Sequence, residues 1–447
     1  MTVSHVRGQP IDLRGQRIAF AATSRLTDAF PVLGARLLDA ALRPPLGSRL
    51  LSAWLGRANG AALRRARGLR RFLVVPDIHI GDAVMTQPAI TALRDYFPDA
   101  EIDYVINRAI APAIEGNPEA SRVLPIFSGA HLPTPDDLAA LRRVLADGDY
   151  DLCWSFGSFL EPREVAPGGP PFINFMTHAP TLIRNERGTG EINHFSYQYY
   201  AFVRAVLAPV ARPARPYRYA GVRTTYADEV ADAASRGAAE MGVGPGARVV
   251  MVNPDGACRF TVLPFEHEAS LLAGIADATG PETVILVGAG HSQAGIGQRL
   301  VEAVPAPLRA RVRVIPKSLP LEVYAALIDA ADVYITGDTG PMHLAASRRY
   351  SRSGGRTFRN RTAVLSLFGA TVPRMSGYDS RRPGYLPANQ DAPSWCYQAG
   401  SPCRNLSCLN KYFKTCRTVR CFERVDVAGL AALVAEYLAG RQGAGPA

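Results

Sequence analysis

Ile335-Thr336-Gly337-Asp338-Thr339-Gly340-Pro341-Met342-His343 is the segment that best predicts both the fold and the place where this chain binds a ligand. The mostly apolar run 332–335 leads into it and predicts a buried strand. Pro341 favours the first turn of a following helix, because the N–H that proline lacks has no partner there. A strand that turns directly into a helix is typical of an α/β sheet, whose ligands bind beyond the carboxyl ends of the strands.

The turn between this strand and this helix carries groups that suit a phosphate-bearing ligand. Backbone N–H groups at the start of a helix attract phosphate, so we expect Thr339 and Gly340 to hold one. Asp338 and His343 flank that position and are expected to contact polar groups of the same ligand. The alternative is an ordinary tight turn in which Asp338 caps the helix, and the segment alone leaves both readings open.

The rest of the chain alternates strands with helices in two series, which is typical of parallel α/β sheets. The first series begins with the apolar run 72–75 and the second with 248–252. Residues 209–219 carry three prolines between the two series and are interpreted as a linker between domains. The predicted fold class is therefore α/β, with two Rossmann-like doubly wound domains facing each other across a cleft.

Composition divides the chain further. The predicted parts are a basic, Arg-rich helical extension (1–71), an N-terminal domain (72–220), and a C-terminal domain (221–447) with an Arg-rich insertion (347–362) and a Cys-rich segment (396–421). The extension holds thirteen Arg and three Asp, which is +10 of the chain's formal net charge of +11. The nearly neutral remainder argues against a body that binds nucleic acid.

The basic extension predicts helices at 31–42 and 46–58, the second with Leu and Trp on one face and Arg elsewhere. Such a helix either lies in an anionic membrane interface or packs its apolar face on the protein, and we favour packing. No run reaches the ~18 apolar residues of a transmembrane helix. Arg and Asp interrupt the N-terminal apolar runs, so a cytoplasmic protein is expected, with peripheral membrane contact through 31–71 as the alternative.

The Arg-rich insertion has six Arg with Gly-Gly and Ser between 347 and 361, and it predicts an exposed, flexible loop. Charge runs are usually solvated, and contact with an anion near the site is the functional alternative.

Gly81-Asp82 follows the first strand of the first series and opens a helix, which places the Asp82 carboxylate at the rim of the predicted cleft. A carboxylate there can accept a proton from an incoming hydroxyl within hydrogen-bond reach. The alternative is that Asp82 caps its own helix, and the two roles are compatible.

Two strings are highly specific when they occur together: Asp-Thr-Gly-Pro-Met-His-Leu-Ala-Ala at 338–346 and Leu-Phe-Gly-Ala-Thr-Val-Pro at 367–373. With Gly81-Asp82 and the Gln-Pro-Ala-Ile that follows at 87–90, the chain resembles glycosyltransferase family 9, the ADP-heptose heptosyltransferases of lipopolysaccharide assembly. The resemblance covers about residues 72–440. It implies a GT-B fold and an inverting, metal-independent glycosyl transfer, with 72–220 on the acceptor side and 221–447 binding the nucleotide sugar.

The resemblance also assigns roles to the residues of both segments. Asp82 matches the family's proposed general base. Thr339 and Gly340 would donate backbone N–H groups to the diphosphate, Asp338 would hydrogen-bond the sugar, and His343 would lie beside the phosphates. Stabilising the departing diphosphate with groups already in place is the main electrostatic task of such a site.

Two loops depart from the family pattern. Thr261 stands where a basic residue is usual, and Arg259 is the expected substitute. His291 or Gln293 would take the place of the acidic residue near the ribose. The further donor-binding residues expected from these loops are Gly256, Ala257, Arg259, His291 and Gln293.

The Cys-rich segment has no Cys-x₂-Cys pair, so its spacing does not indicate a zinc ribbon. Its cysteines are Cys396, Cys403, Cys408, Cys416 and Cys421. One branch of the family, which modifies bacterial autotransporters, binds iron through four such residues, and this implies a structural Zn or Fe site. Reduced thiols or partial disulfides are the alternative.

The predicted function is transfer of a heptose from ADP-heptose to a lipopolysaccharide-core or other saccharide acceptor, with no cofactor required for the transfer. A relative that uses another nucleotide sugar, or a protein or natural-product acceptor, is the first alternative. A non-catalytic nucleotide-sugar-binding protein is the alternative from another class. A nucleic-acid module built on the cysteines is disfavoured, since few basic residues lie beside them.

Overall fold

A computed structural model describes most of the chain from residue 60 to residue 441. The described residues are 60–65, 68–129, 132–157, 168–175, 194–216, 219, 221–256, 260–290, 293–316, 319–351, 357–358, 361–369, 371, 373–382, 384–388, 392–399 and 420–441. The helices predicted at 31–42 and 46–58 therefore lie outside the described residues. So do the site residues Ala257, Arg259, His291, Cys403, Cys408 and Cys416.

Strands and helices alternate along the described chain. The strands are β1 (Arg71–Val75), β2 (Glu101–Asn107), β3 (Arg122–Phe127), β4 (Leu152–Ser155), β5 (Phe172–Asn174), β6 (Arg223–Tyr226), β7 (Arg248–Asn253), β8 (Thr283–Gly288), β9 (Val312–Ile315), β10 (Val333–Gly337), β11 (Arg348–Ser351), β12 (Thr357–Phe358), β13 (Ala363–Phe368) and β14 (Ser394–Gln398). The helices are α1 (Ile80–Tyr96), α2 (Pro135–Asp147), α3 (Phe195–Leu207), α4 (Asp228–Glu240), α5 (Phe265–Ala278), α6 (Ile296–Ala303), α7 (Ala306–Arg309), α8 (Leu321–Asp329), α9 (Gly340–Ala346), α10 (Pro373–Ser376) and α11 (Val427–Gly440).

The described residues form two compact units. One comprises the described residues from 60 to 226 together with those between 347 and 357, and the other comprises Ala227–Ala346 and the described residues from 358 to 441. In this division the N-terminal unit ends at Tyr226, and β11 belongs to it. The predicted linker also packs on that unit, since the N–H groups of residues 214 and 215 donate to the Asp95 carbonyl at 2.8 and 2.9 Å.

The N-terminal unit is built on a five-stranded parallel sheet in the order β3-β2-β1-β4-β5. Its strands β1, β2 and β4 are almost wholly buried because helices cover both faces, which is why they read as largely apolar runs. One face carries α2. The other face carries α1 and α3, which pack closely on each other. Pro88 lies inside α1, and the helix nevertheless begins at Ile80.

The C-terminal unit contains a six-stranded parallel sheet in the order β14-β13-β10-β7-β8-β9. Its core joins the apolar strand residues to α5, α6 and the last helix, α11, which packs against α5. The two sheets confirm the α/β class that the alternating pattern predicts.

The Arg-rich insertion corrects the prediction of an exposed loop. Its first part forms β11, which pairs in parallel with β6, and β12 lies at the edge of this small third sheet. Arg349 on β11 is fully buried and donates to the Thr224 hydroxyl at 2.6 Å and to the Ser347 carbonyl at 3.1 Å. These two oxygen atoms accept hydrogen bonds from the guanidinium group, which lowers the cost of burying its charge. The Arg-rich sequence alone predicts that this side chain is exposed to solvent.

None of the helices in the described part of the chain is long and apolar enough to cross a membrane.

Replacing Gly337 tests how closely β10 packs at its end. A Cβ atom at this position would lie 1.7 Å from the Thr261 carbonyl oxygen, so we expect Gly337→Ala to lower the free energy of unfolding by about 1–3 kcal/mol or more. Gly237 inside α4 has open space at the same position. Gly237→Ala is the control, and it should raise stability slightly, by about 0.5–1 kcal/mol. A Gly337→Ala protein whose urea midpoint equals that of wild type would contradict this packing.

Candidate functional site

The sheet of the C-terminal unit has a topological switch point between β7 and β10. The chain winds outward from β7 through β8 and β9, then returns to β10 and continues through β13 and β14 on the other side. Connections on the two sides run away from each other, so the carboxyl ends of β7 and β10 border an open crevice. Ligands of doubly wound sheets bind in that crevice.

A hydrogen-bonded cluster of side chains links the two strand ends. Asn253, the last residue of β7, donates from Nδ2 to the Asp255 carbonyl at 2.9 Å and to the Thr336 hydroxyl at 3.2 Å. The Thr339 hydroxyl lies 3.1 Å from that of Thr336 and 3.4 Å from Asn253 Nδ2. These contacts fix the Gly-Asp-Thr-Gly turn against the end of the neighbouring strand.

The loop after β7 packs directly on the loop after β10. A Cβ atom at Gly256 would lie 2.8 Å from Thr339 Cγ2 and 2.9 Å from Val262 Cγ1. The Asp338 N–H donates to the Thr261 carbonyl at 2.9 Å. The structure therefore brings together Gly256, Asp338 and Thr339, three of the residues that the sequence predicts for donor binding.

Thr339 and Gly340 present their N–H groups at the start of α9, where an anion can bind. Gly340 is the first residue of α9, and the first turn of a helix has no internal partners for its N–H groups. Thr339 and Gly340 are half-buried rather than enclosed, so a bound group can reach them from the crevice. The positive end of the helix dipole adds to the attraction for an anion.

Asp338 and His343 each have a partner that the sequence reasoning missed. The Ser376 hydroxyl donates to Asp338 Oδ1 at 3.0 Å. Burial raises the pKa of Asp338, and the hydrogen bond from Ser376 opposes that rise. His343 is buried, with Nδ1 3.0 Å from the Tyr378 hydroxyl. Ser376 and Tyr378 both follow the carboxyl end of β13. Their place after a strand is the one sequence signal that could have identified them as site residues.

Gln293, the remaining donor-binding residue that the structure describes, lies at a separate part of the same edge. It lines a cavity of about 180 Å³ beside the ends of β7 and β8. Several apolar residues and Glu268 complete the wall of this cavity. Sequence reasoning did not single out Glu268, because it occupies one position of an ordinary amphipathic helix.

The N-terminal sheet also has a switch point, between β1 and β4, and the residues around Asp82 follow β1. His79 is the N-cap of α1 and Asp82 lies in the first turn. The Asp82 side chain is thus not the N-cap that the alternative reading proposed, although an acidic group in this turn suits the helix dipole. The Thr86 hydroxyl donates to the Asp82 carbonyl at 2.8 Å and steadies this turn.

Two further polar side chains adjoin Asp82. His79 Nδ1 lies 3.5 Å from Asp77 Oδ1 and 3.7 Å from Asp82 Oδ2. The hydrogen bond with Asp77 and the charge of Asp82 raise the pKa of His79, although partial burial opposes the rise. One ligand atom from each of the three residues lies within 4.8 Å of the others, so the group could also accommodate a metal ion. The sequence analysis did not assign a role to Asp77 or His79.

Two residues of the Cys-rich segment are described, and both are buried. Cys396 lies on β14 and donates from Sγ to the Tyr378 carbonyl at 3.4 Å, while Cys421 lies in the hydrophobic core. Burial raises the pKa of the Cys396 thiol, which favours the protonated form over the thiolate that binds metals. In the described chain Cys153 and Cys396 are free thiols.

Two Rossmann-like units in one chain, each with polar residues beyond the switch point of its sheet, have the architecture of the GT-B fold. Residues 266–392 match the model of glycosyltransferase family 9 (heptosyltransferase). The chain thus carries a domain of glycosyltransferase family 9, which confirms the family that its motifs indicate.

Solved structures of similar fold agree with this assignment. A family 9 glycosyltransferase from Veillonella parvula is 16% identical with a TM-score of 0.59, over 83% of this chain and 98% of its own. The ADP-heptose lipopolysaccharide heptosyltransferase II of E. coli is 14% identical with a TM-score of 0.56, over 83% and 99%. The E. coli heptosyltransferase WaaC with ADP is 17% identical with a TM-score of 0.50, over 82% and 99%. At such identities the likeness establishes the fold.

Among curated proteins, none matches the sequence at a significant level.

The raised pKa of His79 can be tested by substituting each of its acidic neighbours. Asp77→Asn should lower the pKa most, because the hydrogen bond with Asp77 is the largest cause of the rise. Asp82→Asn should lower it less, since Asp82 acts through its charge alone. The imidazole contributes stability below about pH 6.5, the ordinary value, and loses it as the pH rises through the raised value. NMR titration of the imidazole protons measures the shifts, and the opposite order of effects would refute the assignment.

Proposed function

We propose that this glycosyltransferase transfers a heptose, with inversion, from ADP-heptose to a saccharide acceptor such as the lipopolysaccharide core. The observation that carries the proposal is the Gly-Asp-Thr-Gly turn at the switch point of a domain that matches the heptosyltransferase family. Two of the E. coli structures of similar fold are heptosyltransferases, and one was solved with ADP. This supports an adenine nucleotide sugar as the donor.

The donor's diphosphate lies, in this proposal, on the N–H groups of Thr339 and Gly340. Asn253 and Thr336 hold the turn through the Thr339 hydroxyl, so the donors are in place before the ligand arrives. Preorganised dipoles of this kind stabilise the negative charge that develops on the leaving diphosphate. Asp338, whose Oδ1 accepts a hydrogen bond from Ser376, would in this proposal accept a second one from a sugar hydroxyl.

The transfer itself needs a base for the acceptor. Asp82 removes the proton from the acceptor hydroxyl, and that oxygen forms a bond to the anomeric carbon of the heptose. The bond between this carbon and the diphosphate oxygen breaks at the same time, and its electron pair leaves with the nucleoside diphosphate. Attack from the face opposite the leaving group inverts the anomeric configuration. A positioned base typically contributes about 10²–10⁴ to the rate.

His343 supports this arrangement from inside the fold. Its ring is buried and its Nδ1 is engaged by the Tyr378 hydroxyl. We infer that this contact holds α9 in position and that the other ring nitrogen of His343, Nε2, faces the phosphates. The transfer requires no metal in this scheme, because backbone dipoles take the place of a cation.

Another nucleotide sugar is the second candidate donor. Gln293 stands where the resemblance leads us to expect an acidic residue near the ribose, and Thr261 stands where it leads us to expect a basic one. The acceptor is assigned to the N-terminal unit. A cytoplasmic site of action, with peripheral membrane contact through residues 31–71, completes the proposal.

Asp82→Ala tests the assigned base. We expect the variant to bind ADP with the wild-type Kd and to transfer sugar about 10²–10⁴-fold more slowly, because it lacks the carboxylate assigned as the base. Release of ADP with heptose-deficient lipopolysaccharide core as acceptor measures the rate, and calorimetry measures binding. Asp136→Ala is the matched control, since Asp136 is an exposed acid in the first turn of another helix, α2.

Two results would contradict parts of this proposal. Asp82→Ala with wild-type transfer would show that Asp82 is not the base. A wild-type protein that binds ADP-heptose yet transfers nothing to any saccharide would favour a binding protein over an enzyme.

A further inference from the structure

The segment after β13 brings two side-chain hydroxyls to the residues around the start of α9. The Ser376 hydroxyl donates to Asp338 Oδ1 at 3.0 Å, and the Tyr378 hydroxyl lies 3.0 Å from His343 Nδ1. The contact with His343 does more than hold a ring in place. The hydrogen bond made by one nitrogen of an imidazole determines whether the other nitrogen carries a proton.

Tyr378 is held in position independently of His343. It is 2% exposed, and its ring meets the His343 ring edge-on with the centroids 5.7 Å apart. The Cys396 thiol on β14 donates to the Tyr378 carbonyl at 3.4 Å. The next residue, Asp379, accepts from the Cys396 N–H at 3.0 Å and donates its own N–H to the Leu386 carbonyl at 2.8 Å. The backbone that carries Tyr378 is therefore fixed, and its hydroxyl is kept beside Nδ1.

His343 is enclosed as well, since it is 3% exposed. It is the fourth residue of α9, and helix side chains lean toward the N-terminus of their helix. The ring thus lies on the side of the first turn, where Thr339 and Gly340 present their N–H groups. A neutral imidazole has one N–H donor and one nitrogen that accepts.

The two neutral tautomers of His343 offer a phosphate different groups. If Nδ1 carries the proton, it donates to the Tyr378 oxygen, and the lone pair of Nε2 repels a phosphate oxygen. If the Tyr378 hydroxyl donates to Nδ1, the proton is on Nε2, which can then donate to a phosphate oxygen. A hydrogen bond to a charged acceptor is stronger than one between neutral groups, so the second tautomer suits a diphosphate.

We propose that Tyr378 is a positioning residue for the transfer: its hydroxyl donates to Nδ1 of His343 and holds the ring as the tautomer that is protonated on Nε2. In this form His343 donates a hydrogen bond to the diphosphate of the nucleotide sugar. The inference rests on the proposed function, because it takes the diphosphate to lie at the start of α9. A phenylalanine at 378 would fill the same space but would leave the tautomer of His343 unfixed.

NMR spectroscopy of the protein with isotope-labelled histidine reads the tautomer directly, because protonated and unprotonated ring nitrogens have well separated chemical shifts. The signals of His343 are identified by their loss in His343→Leu. At about pH 8, where an ordinary imidazole is neutral, we expect wild type to hold the tautomer protonated on Nε2 with and without ADP. Tyr378→Phe should show a mixture of both tautomers without ADP. The wild-type spectrum decides the assignment even if a variant fails to fold.

A double-mutant cycle separates this role from packing. Tyr378→Phe keeps the ring and loses the hydroxyl, so we expect the Kd for ADP, measured by calorimetry, to rise about 3- to 10-fold. In the His343→Leu background there is no imidazole to fix, so the same change should alter Kd by less than about twofold. Tyr437→Phe is the matched control with an expected wild-type Kd, since it removes a tyrosine hydroxyl on α11, where the ring packs on Trp395.

Three results would overturn the role of Tyr378 while leaving the proposed function intact. They are a wild-type His343 protonated on Nδ1, a Tyr378→Phe protein with the wild-type tautomer and Kd, and an equal rise in Kd when Tyr378→Phe is added to His343→Leu. The last would show that the hydroxyl acts on the fold rather than through the imidazole. A wild-type protein that binds no nucleoside diphosphate would refute the proposed function, and the inference would fail with it.

Discussion

The close approach of Gly337 to the carbonyl oxygen of Thr261 is the constraint on which the donor site depends. It lets the loop after β7 lie directly against the turn after β10, where the Asp338 N–H completes the contact with the same carbonyl. Gly256 allows the Thr339 side chain to approach from the other direction. The glycines are thus needed for packing as well as for the turn. The result is a rigid strand-to-helix turn whose free N–H groups face a crevice.

The same topological rule places chemistry in both units. Each sheet reverses its winding direction once, and each reversal carries polar residues just beyond a buried strand. In the C-terminal unit these residues suit a diphosphate. In the N-terminal unit Asp82 is accompanied by His79 and Asp77, so the carboxylate that we assign as the base belongs to a group of coupled charges.

Sequence reasoning reached the fold class, the family and the positions of Asp82 and Thr339, because local patterns encode strands followed by tight turns. It failed where distant residues decide the outcome. The sequence predicts that Arg349 is exposed to solvent, yet the side chain is buried and donates a hydrogen bond to the Thr224 hydroxyl on β6. Tyr378 contacts His343 although the two residues are 35 positions apart in the sequence, so no local pattern could predict the pair. Glu268 looks like any acid of an amphipathic helix, and its burial depends on the cavity between that helix and the strand ends.

The most direct measurement for the central claim is a crystal structure of the protein with ADP. The account predicts diphosphate oxygens within hydrogen-bond distance, about 2.7–3.2 Å, of the backbone nitrogens of Thr339 and Gly340. A diphosphate bound elsewhere, with these two N–H groups facing only water, would contradict the assignment of the switch point between β7 and β10 as the donor site.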